Sequence, residues 1–287
     1  MSLPPYSAET PKHPYELVSF TGRNFGFAFH LFCRGCGYGA IGQHMNRVFK
    51  DENLDETKYP FIVGVGCYSI MPLILPGRIW MTLHGRTLAV ATGIKLANPD
   101  VTPICLAGDG DNLALGTNHF VHACRRNIGI VLIMLHNNTY GMTGGQSAPT
   151  TPIGMNATTA PYGFLEEEFD AVQLAITAGA TFVARWTTAH PRQFIKSVKK
   201  AVKWKGFSFI DMVSQCPTYF GRKNDMAEPV DVFNWIKGNS ITIEKAKGVA
   251  EEDLKGKFVV GEFKESPRKE LSEKYIELIE RARRKKK

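Results

Sequence analysis

Between residues 61 and 213 the chain alternates two kinds of apolar pattern. Short, nearly continuous apolar runs at 61–65, 102–107, 129–136, 180–186 and 208–213 predict buried strands. Segments at 40–49, 87–97, 113–126, 170–178 and 191–204 repeat their apolar residues at helical spacing and predict helices. Pro191 opens the last of these, where its missing N–H is harmless. Strands alternating with helices predict an α/β fold, a parallel sheet with helices on both faces. Residues 1–30, with Pro4, Pro5, Pro11 and Pro14, predict an irregular N-terminal arm. Residues 31–221 are the expected main domain, and 222–287 a charged, helical C-terminal extension in which 264–287 is expected as an exposed helix. The stretch 144–163, rich in Thr, Pro and Gly, is too long for an ordinary connection and is expected to be a functional loop. Glu166, Glu167 and Glu168 predict a solvated helix start. No internal repeat is visible.

Composition narrows the class without naming it. With 287 residues, 44% hydrophobic and 22% charged, the chain can build a core, which excludes a disordered or collagen-like protein. Its longest apolar run, 128–135, is far short of the ~20 residues that cross a bilayer. The first thirty residues carry no apolar segment of the kind that directs secretion. A soluble, cytoplasmic protein with no membrane partner is expected. Of the net charge of +8, six positive charges fall in the last seven residues, a pattern that reads as a solvated helix end. The body has no zinc-finger spacing, aromatic RNP pattern or helix-turn-helix signature, so no nucleic acid partner is expected.

The densest chemistry runs from Leu106-Ala107-Gly108-Asp109-Gly110-Asp111-Asn112 to Leu135-His136-Asn137-Asn138-Thr139-Tyr140-Gly141. Strand, helix and strand across this span make one β-α-β unit. Its right-handed crossover brings both strand ends to one edge, so Asp109 and Asn137 become neighbours although 28 positions apart. Two oxygen ligands beside a helix N-terminus suit Mg²⁺ with a diphosphate. Gly108 and Gly110 let the backbone approach phosphate closely. A dinucleotide fold is disfavoured, because no Gly-x-Gly-x-x-Gly opens a helix here.

Six cysteines are many for a reducing compartment and suggest metal or redox work. Cys33 and Cys36 form a Cys-x-x-Cys, Cys67 follows a strand-like run, and Cys216 precedes Pro217. Four thiolates from separate loops could hold zinc or an iron–sulfur cluster, and spacing alone does not decide. Cys105 and Cys124, inside apolar segments, are expected to be buried small hydrophobes.

The Gly-Asp-Gly and Asn pair joined to this cysteine set resembles the thiamine diphosphate-binding β subunit of the 2-oxoacid:ferredoxin oxidoreductases. The resemblance spans most of 30–220 and includes His84-Gly85-Arg86 and Tyr140-Gly141-Met142-Thr143. It implies that Cys33, Cys36, Cys67 and Cys216 hold a [4Fe-4S] cluster, and that Asp109, Asn137 and the carbonyl of Thr139 ligate Mg²⁺. It also implies that Val65, Gly66, Cys67, Tyr68, His84, Gly110, Asp111, Gly141 and Met142 contact thiamine diphosphate. The activity implied is coenzyme A-dependent oxidative decarboxylation of a 2-oxoacid, with electrons leaving to ferredoxin and CO₂ fixation as the reverse. The Glu that activates the cofactor is not assignable in this chain. It is expected from an obligate α subunit, and the catalytic residue of this chain is left unknown. Arg34 and His136 stand where relatives often have Pro and Asp. Ile70 and Gly144 stand where many relatives carry a basic residue, which favours 2-oxoglutarate as substrate and a carboxylate contact from another subunit. The alternatives are pyruvate or another 2-oxoacid, a non-redox thiamine decarboxylase or synthase subunit, or an electron-transfer or scaffold subunit that has lost thiamine.

Overall fold

The computed structural model describes residues 32–285; the arm expected at 1–30 and the last two residues of the basic tail lie outside the described residues. The strands are β1 (Phe61–Val63), β2 (Ile79–Met81), β3 (Ile104–Gly108), β4 (Val131–His136), β5 (Thr139–Tyr140), β6 (Gln146–Ser147), β7 (Phe182–Thr187), β8 (Ser208–Val213), β9 (Ser240–Thr242) and β10 (Phe258–Glu265). The helices are α1 (Gly37–Asp51), α2 (Thr87–Ala97), α3 (Thr117–Arg126), α4 (Ala171–Ala178), α5 (Pro191–Ala201), α6 (Pro229–Gly238), α7 (Ile243–Ala246) and α8 (Leu271–Arg284). One sheet runs β2-β1-β3-β4-β8-β7-β10-β9, with every pair parallel except β10 on β7. β5 and β6 make a small antiparallel ribbon apart from it.

The central strands are buried on both faces, which is why they read as continuous apolar runs. Their alternation then sorts side chains into two cores. Ile104 and Leu106 pack with Ile41 and Met45 of α1 and Phe194 of α5. Cys105 and Ala107 pack with Leu88 of α2, Phe120 and Cys124 of α3 and Val172 of α4. Cys105 and Cys124 are thus core residues, as expected.

Three local expectations are corrected. Residues 166–168 are exposed and irregular; α4 begins instead behind Asp170, whose Oδ1 accepts from Val172 N at 3.0 Å and Gln173 N at 3.3 Å. A short carboxylate reaches those N–H groups, and this makes Asp170 the cap. Lys264 and Glu265 end a strand, and the terminal helix starts only at Leu271. The charges on β10 that suggested a helix are met across the sheet: Lys200 on α5 reaches Glu262 at 2.6 Å and Glu265 at 2.8 Å. The helix expected from residue 113 is preceded by a π-helical turn, Asp111–Leu115, and begins at Thr117. Among the described residues no helix is long and apolar enough to cross a membrane.

Candidate active site

β1, β3, β4 and β8 run parallel, so the loops after them share the carboxyl edge of the sheet, where open α/β sheets bind ligands. Gly64–Gly66, Asp109, Asn137 and Ser214–Cys216 all sit there. Gly108 and Leu135 are register partners, and beyond them Asn137 N donates to Asp109 Oδ2 at 3.2 Å and Asn138 N at 2.9 Å. Asn138 takes φ 60, a left-handed turn that Asn tolerates, and it aims successive N–H groups at the carboxylate. Gly110 N donates to Asp109 Oδ1 at 2.9 Å, and Thr150 Oγ1 to Oδ2 at 2.6 Å. All four donors are neutral. Burial therefore pushes the Asp109 carboxyl above its ordinary value, opposed by the charge of His136 and by these hydrogen bonds. A buried anion among neutral donors favours a cation beside it. Asp109, Asn137 and Thr139 line one cavity, and a carboxylate, an amide oxygen and a backbone carbonyl are hard donors of the kind Mg²⁺ takes.

Asp111 turns away from this pair and braces the neighbouring loops. Its carboxylate accepts from Tyr68 Oη and Gly85 N at close range, from Val65 N at 3.3 Å, and meets His84 Nδ1 at 3.0 Å. Gly64 is required beneath it, since a Cβ there would lie 1.9 Å from Asp111 Oδ2. The segments after β1, β2 and β3 are tied together through this one side chain.

A cavity opens between these loops. Val65, Gly66, Cys67, Tyr68, His84, Asp109, Gly110, Asp111, Asn137, Thr139, Gly141 and Met142 all line it. It also takes Tyr140 and Thr143, which the sequence motif includes without a role, and Tyr38, which sequence reading passed over. Tyr38 reads as an ordinary core position of α1 and gives no signal of its own. Tyr140 is placed by its hydroxyl, which donates to Gly110 O at 3.3 Å; burial pushes its phenol up to about 12.

The cysteines approach from two sides of the same edge. Cys67 follows Gly66, and Cys216 follows β8 by three residues. A Cβ on Gly141 would meet Cys67 Sγ at 3.2 Å, Asn137 Nδ2 at 3.6 Å and Cys216 Sγ at 3.8 Å. Gly141 thus lies between two thiols and the amide next to Asp109. Cys33 and Cys36 form a tight turn, Cys36 N to Cys33 O at 2.9 Å, and Gly37 N reaches Gln215 O at 3.3 Å, which docks this turn against the Cys216 loop. Burial lifts Cys36 to about 12 and Cys67 to about 11 and raises Cys216, and repulsion from neighbouring sulfurs adds to each. Repulsion of that origin is relieved by cationic iron, so the four sulfurs fit a cluster site. Among the described residues no three His, Cys, Asp or Glu side chains close on one point in single-ion geometry.

Behind the Asn137 turn runs a buried polar chain that sequence reading missed. Asn138 Oδ1 lies 2.7 Å from His136 Nε2, His136 Nδ1 lies 3.0 Å from Asp211, Arg185 donates to Asp211 at 2.7 Å, and Arg185 reaches Asp170 at 2.9 Å. Asp211 and Arg185 sit in apolar strand runs, where a lone polar residue carries no periodic signal. Thr150 was not singled out either; it lies in the Thr-rich stretch 144–163 expected as a functional loop, where it and Thr151 are buried.

The carboxyl edge of this parallel α/β sheet carries a cleft whose backbone amides and oxygen donors suit a diphosphate with a divalent cation, as in thiamine diphosphate-binding proteins. Residues 64–212 match the family model of the C-terminal TPP binding domain of thiamine pyrophosphate enzymes. The 2-oxoglutarate synthase subunit KorB of Methanocaldococcus jannaschii is 50% identical over 252 residues, 88% of this chain and 93% of that protein. The 2-oxoacid:ferredoxin oxidoreductase subunit beta of Saccharolobus solfataricus is 39% identical over 66% of this chain and 62% of its own. Among solved structures, the 2-oxoglutarate:ferredoxin oxidoreductase of Magnetococcus marinus, with 2-oxoglutarate, coenzyme A and succinyl-CoA bound, superposes with a TM-score of 0.78 at 31% identity, covering 88% of this chain and 86% of that one. The chain belongs to the 2-oxoacid:ferredoxin oxidoreductases as their thiamine diphosphate-binding β subunit.

Proposed function

We propose that this chain, with an α subunit, converts 2-oxoglutarate and coenzyme A to succinyl-CoA and CO₂ and passes the electrons to ferredoxin, reversibly. The observation that carries this reading is Gly141, which brings Cys67 and Cys216 to the amide of Asn137 and so joins the metal pocket to the cysteine set. The choice of 2-oxoglutarate rests on the KorB relatives and on the ligands of the Magnetococcus marinus enzyme.

In this reading Asp109, Asn137 and the Thr139 carbonyl hold Mg²⁺, and Cys33, Cys36, Cys67 and Cys216 hold a [4Fe-4S] cluster. When bound, thiamine diphosphate supplies the electron sink for decarboxylation and the cluster a one-electron exit. The protein's own part is placement. Gly110 and Gly141 keep the backbone close to the diphosphate, and Asp111 fixes His84 and the Val65–Tyr68 segment against the cavity. Val65, Tyr68 and Met142 give the cavity apolar walls. Trp80, Met81 and Leu83 are exposed on edge strand β2 and just after it, leading to His84, and offer an apolar rim for the α subunit, which brings the activating Glu. None of the six cysteines is joined in a disulfide, which leaves Cys33, Cys36, Cys67 and Cys216 open to iron.

The test uses the αβ complex purified without oxygen and assayed with a panel of 2-oxoacids, coenzyme A and a viologen acceptor. The reading expects ~4 iron per chain and kcat/KM highest for 2-oxoglutarate. A colourless zinc protein overturns the redox assignment, and a higher kcat/KM for pyruvate overturns the substrate.

A further inference from the structure

The hydrogen bonds around Asp109 are unevenly divided. Oδ2 accepts three, from Asn137 N at 3.2 Å, Asn138 N at 2.9 Å and Thr150 Oγ1 at 2.6 Å, while Oδ1 accepts one, from Gly110 N at 2.9 Å. An ionised carboxylate offers about four acceptor positions, so Oδ2 is saturated and the spare lone pair is on Oδ1. Two of the Oδ2 donors are backbone groups fixed by the turn after β4. Thr150 is the only side chain among the four, and it is buried at 1% exposure. It stands behind Asp109, outside the cavity lining.

Thr150 also belongs to a different structure. Phe169 N donates to Pro149 O at 2.8 Å and closes 149–169 into a loop. Its first turn is pinned to the site by Thr151 Oγ1, which donates to Asn138 O at 2.8 Å and accepts from Ala148 N at 2.8 Å. Its last residue precedes Asp170, the end of the chain from His136 through Asp211 and Arg185. The loop is therefore attached at both ends to the turn that carries Asn137 and Asn138.

We infer that Thr150 is a positioning residue for the metal: its hydroxyl fixes the rotation of Asp109 so that Oδ1 faces the cation, and it couples the seating of loop 149–169 to metal binding. This rests on the Mg²⁺ reading of Asp109 given above. Thr150 touches neither metal nor cofactor and acts through Asp109. Removing the hydroxyl leaves Oδ2 held only by the two backbone N–H groups and loosens the rotation of the carboxylate, and losses of this kind lower metal affinity by about 10- to 100-fold.

The experiment titrates Mg²⁺ into the metal-free αβ complex at fixed thiamine diphosphate, following cofactor binding by calorimetry and loop protection by hydrogen exchange. Thr150→Val is expected to need about 10- to 100-fold more Mg²⁺ and to leave 149–169 unprotected until that concentration, while Thr150→Ser matches the parent. Equal Mg²⁺ dependence in parent and Thr150→Val overturns the inference, as does a Thr150→Ser that behaves like Thr150→Val. Should Thr150→Val not yield folded complex, Thr150→Ala against Thr150→Ser carries the comparison, and equal affinities overturn it. A parent complex that binds thiamine diphosphate equally well without Mg²⁺ sinks the metal reading itself, a result distinct from the others.

Discussion

His84 Nδ1 and Asp111 Oδ1 meet at 3.0 Å, and this contact joins the loop after β2 to the turn after β3. The same carboxylate accepts from Tyr68, Gly85 and Val65. Asn in its place has one acceptor oxygen, and its amide would oppose an N–H. Hydrogen bonds to a charged group contribute about 1.5–3 kcal/mol each, so Asp111→Asn should weaken thiamine diphosphate binding at least tenfold. Calorimetric titration of the cofactor checks this, and unchanged affinity would show that the bracing does not matter.

Cys36 sits at about 12 instead of the usual 9.0, and Cys67 at about 11, chiefly through burial. A folded-state value above the unfolded one means stability that is complete below pH 9 and lost as pH rises through the folded value. The iron-free complex should therefore lose stability progressively from about pH 9 toward 12, whereas the cluster-loaded complex, its sulfurs already ionised, should not. Cluster assembly releases those protons, so reconstitution should quicken between pH 7 and 9. Thermal melting from pH 9 to 12 and iron uptake from pH 7 to 9 test the two statements; a Cys36→Ser complex with the same alkaline loss refutes the assignment to Cys36.

The features legible in the sequence were those fixed by local rules. Residues 208–213 and 87–97 are strand and helix with no shift of boundary, because each is a complete apolar pattern. The meeting of Asp109 and Asn137 followed from crossover handedness alone. What escaped notice depends on partners distant in sequence. β10 carries charge because Lys200 on α5 faces it, and Arg185 looks like a stray cation in an apolar strand until Asp211 and Asp170 are placed beside it. Thr150 gave no periodic signal, since its role is set by a carboxylate 41 residues earlier.

Arg185 is buried against Asp211, 2.7 Å away. Burial alone would push Asp211 up, but His136 and Arg185 outweigh it and hold the carboxyl below its ordinary value. Arg185→Met keeps the bulk and removes the charge, leaving Asp211 with one partner. Breaking a buried pair from one side costs about 3–5 kcal/mol, and urea unfolding should register a loss of that size. Arg185→Met with Asp211→Asn should recover part of it, and a double variant no better than the single one would contradict the pairing.

Gly141 stands between Cys67, Cys216 and the Asn137 amide with no side chain of its own. A Cβ there would approach Cys67 Sγ to 3.2 Å, tighter than an ordinary contact, while Asn137 Nδ2 at 3.6 Å and Cys216 Sγ at 3.8 Å stay at van der Waals distance, so the added methyl presses on Cys67, which the proposed reading places on both cluster and cofactor. Overpacking of this kind costs about 1–3 kcal/mol, divided between whichever neighbours move. Gly141→Ala should therefore lower iron content and thiamine diphosphate affinity in the same preparation. Cys216→Ser should lose iron and keep the cofactor, and Asp109→Ala should lose Mg²⁺ and cofactor and keep iron. Iron analysis beside calorimetric cofactor titration separates the three variants. If Gly141→Ala moved only one of the two quantities, the proposal that both centres meet at Cys67 beside Gly141 would fail.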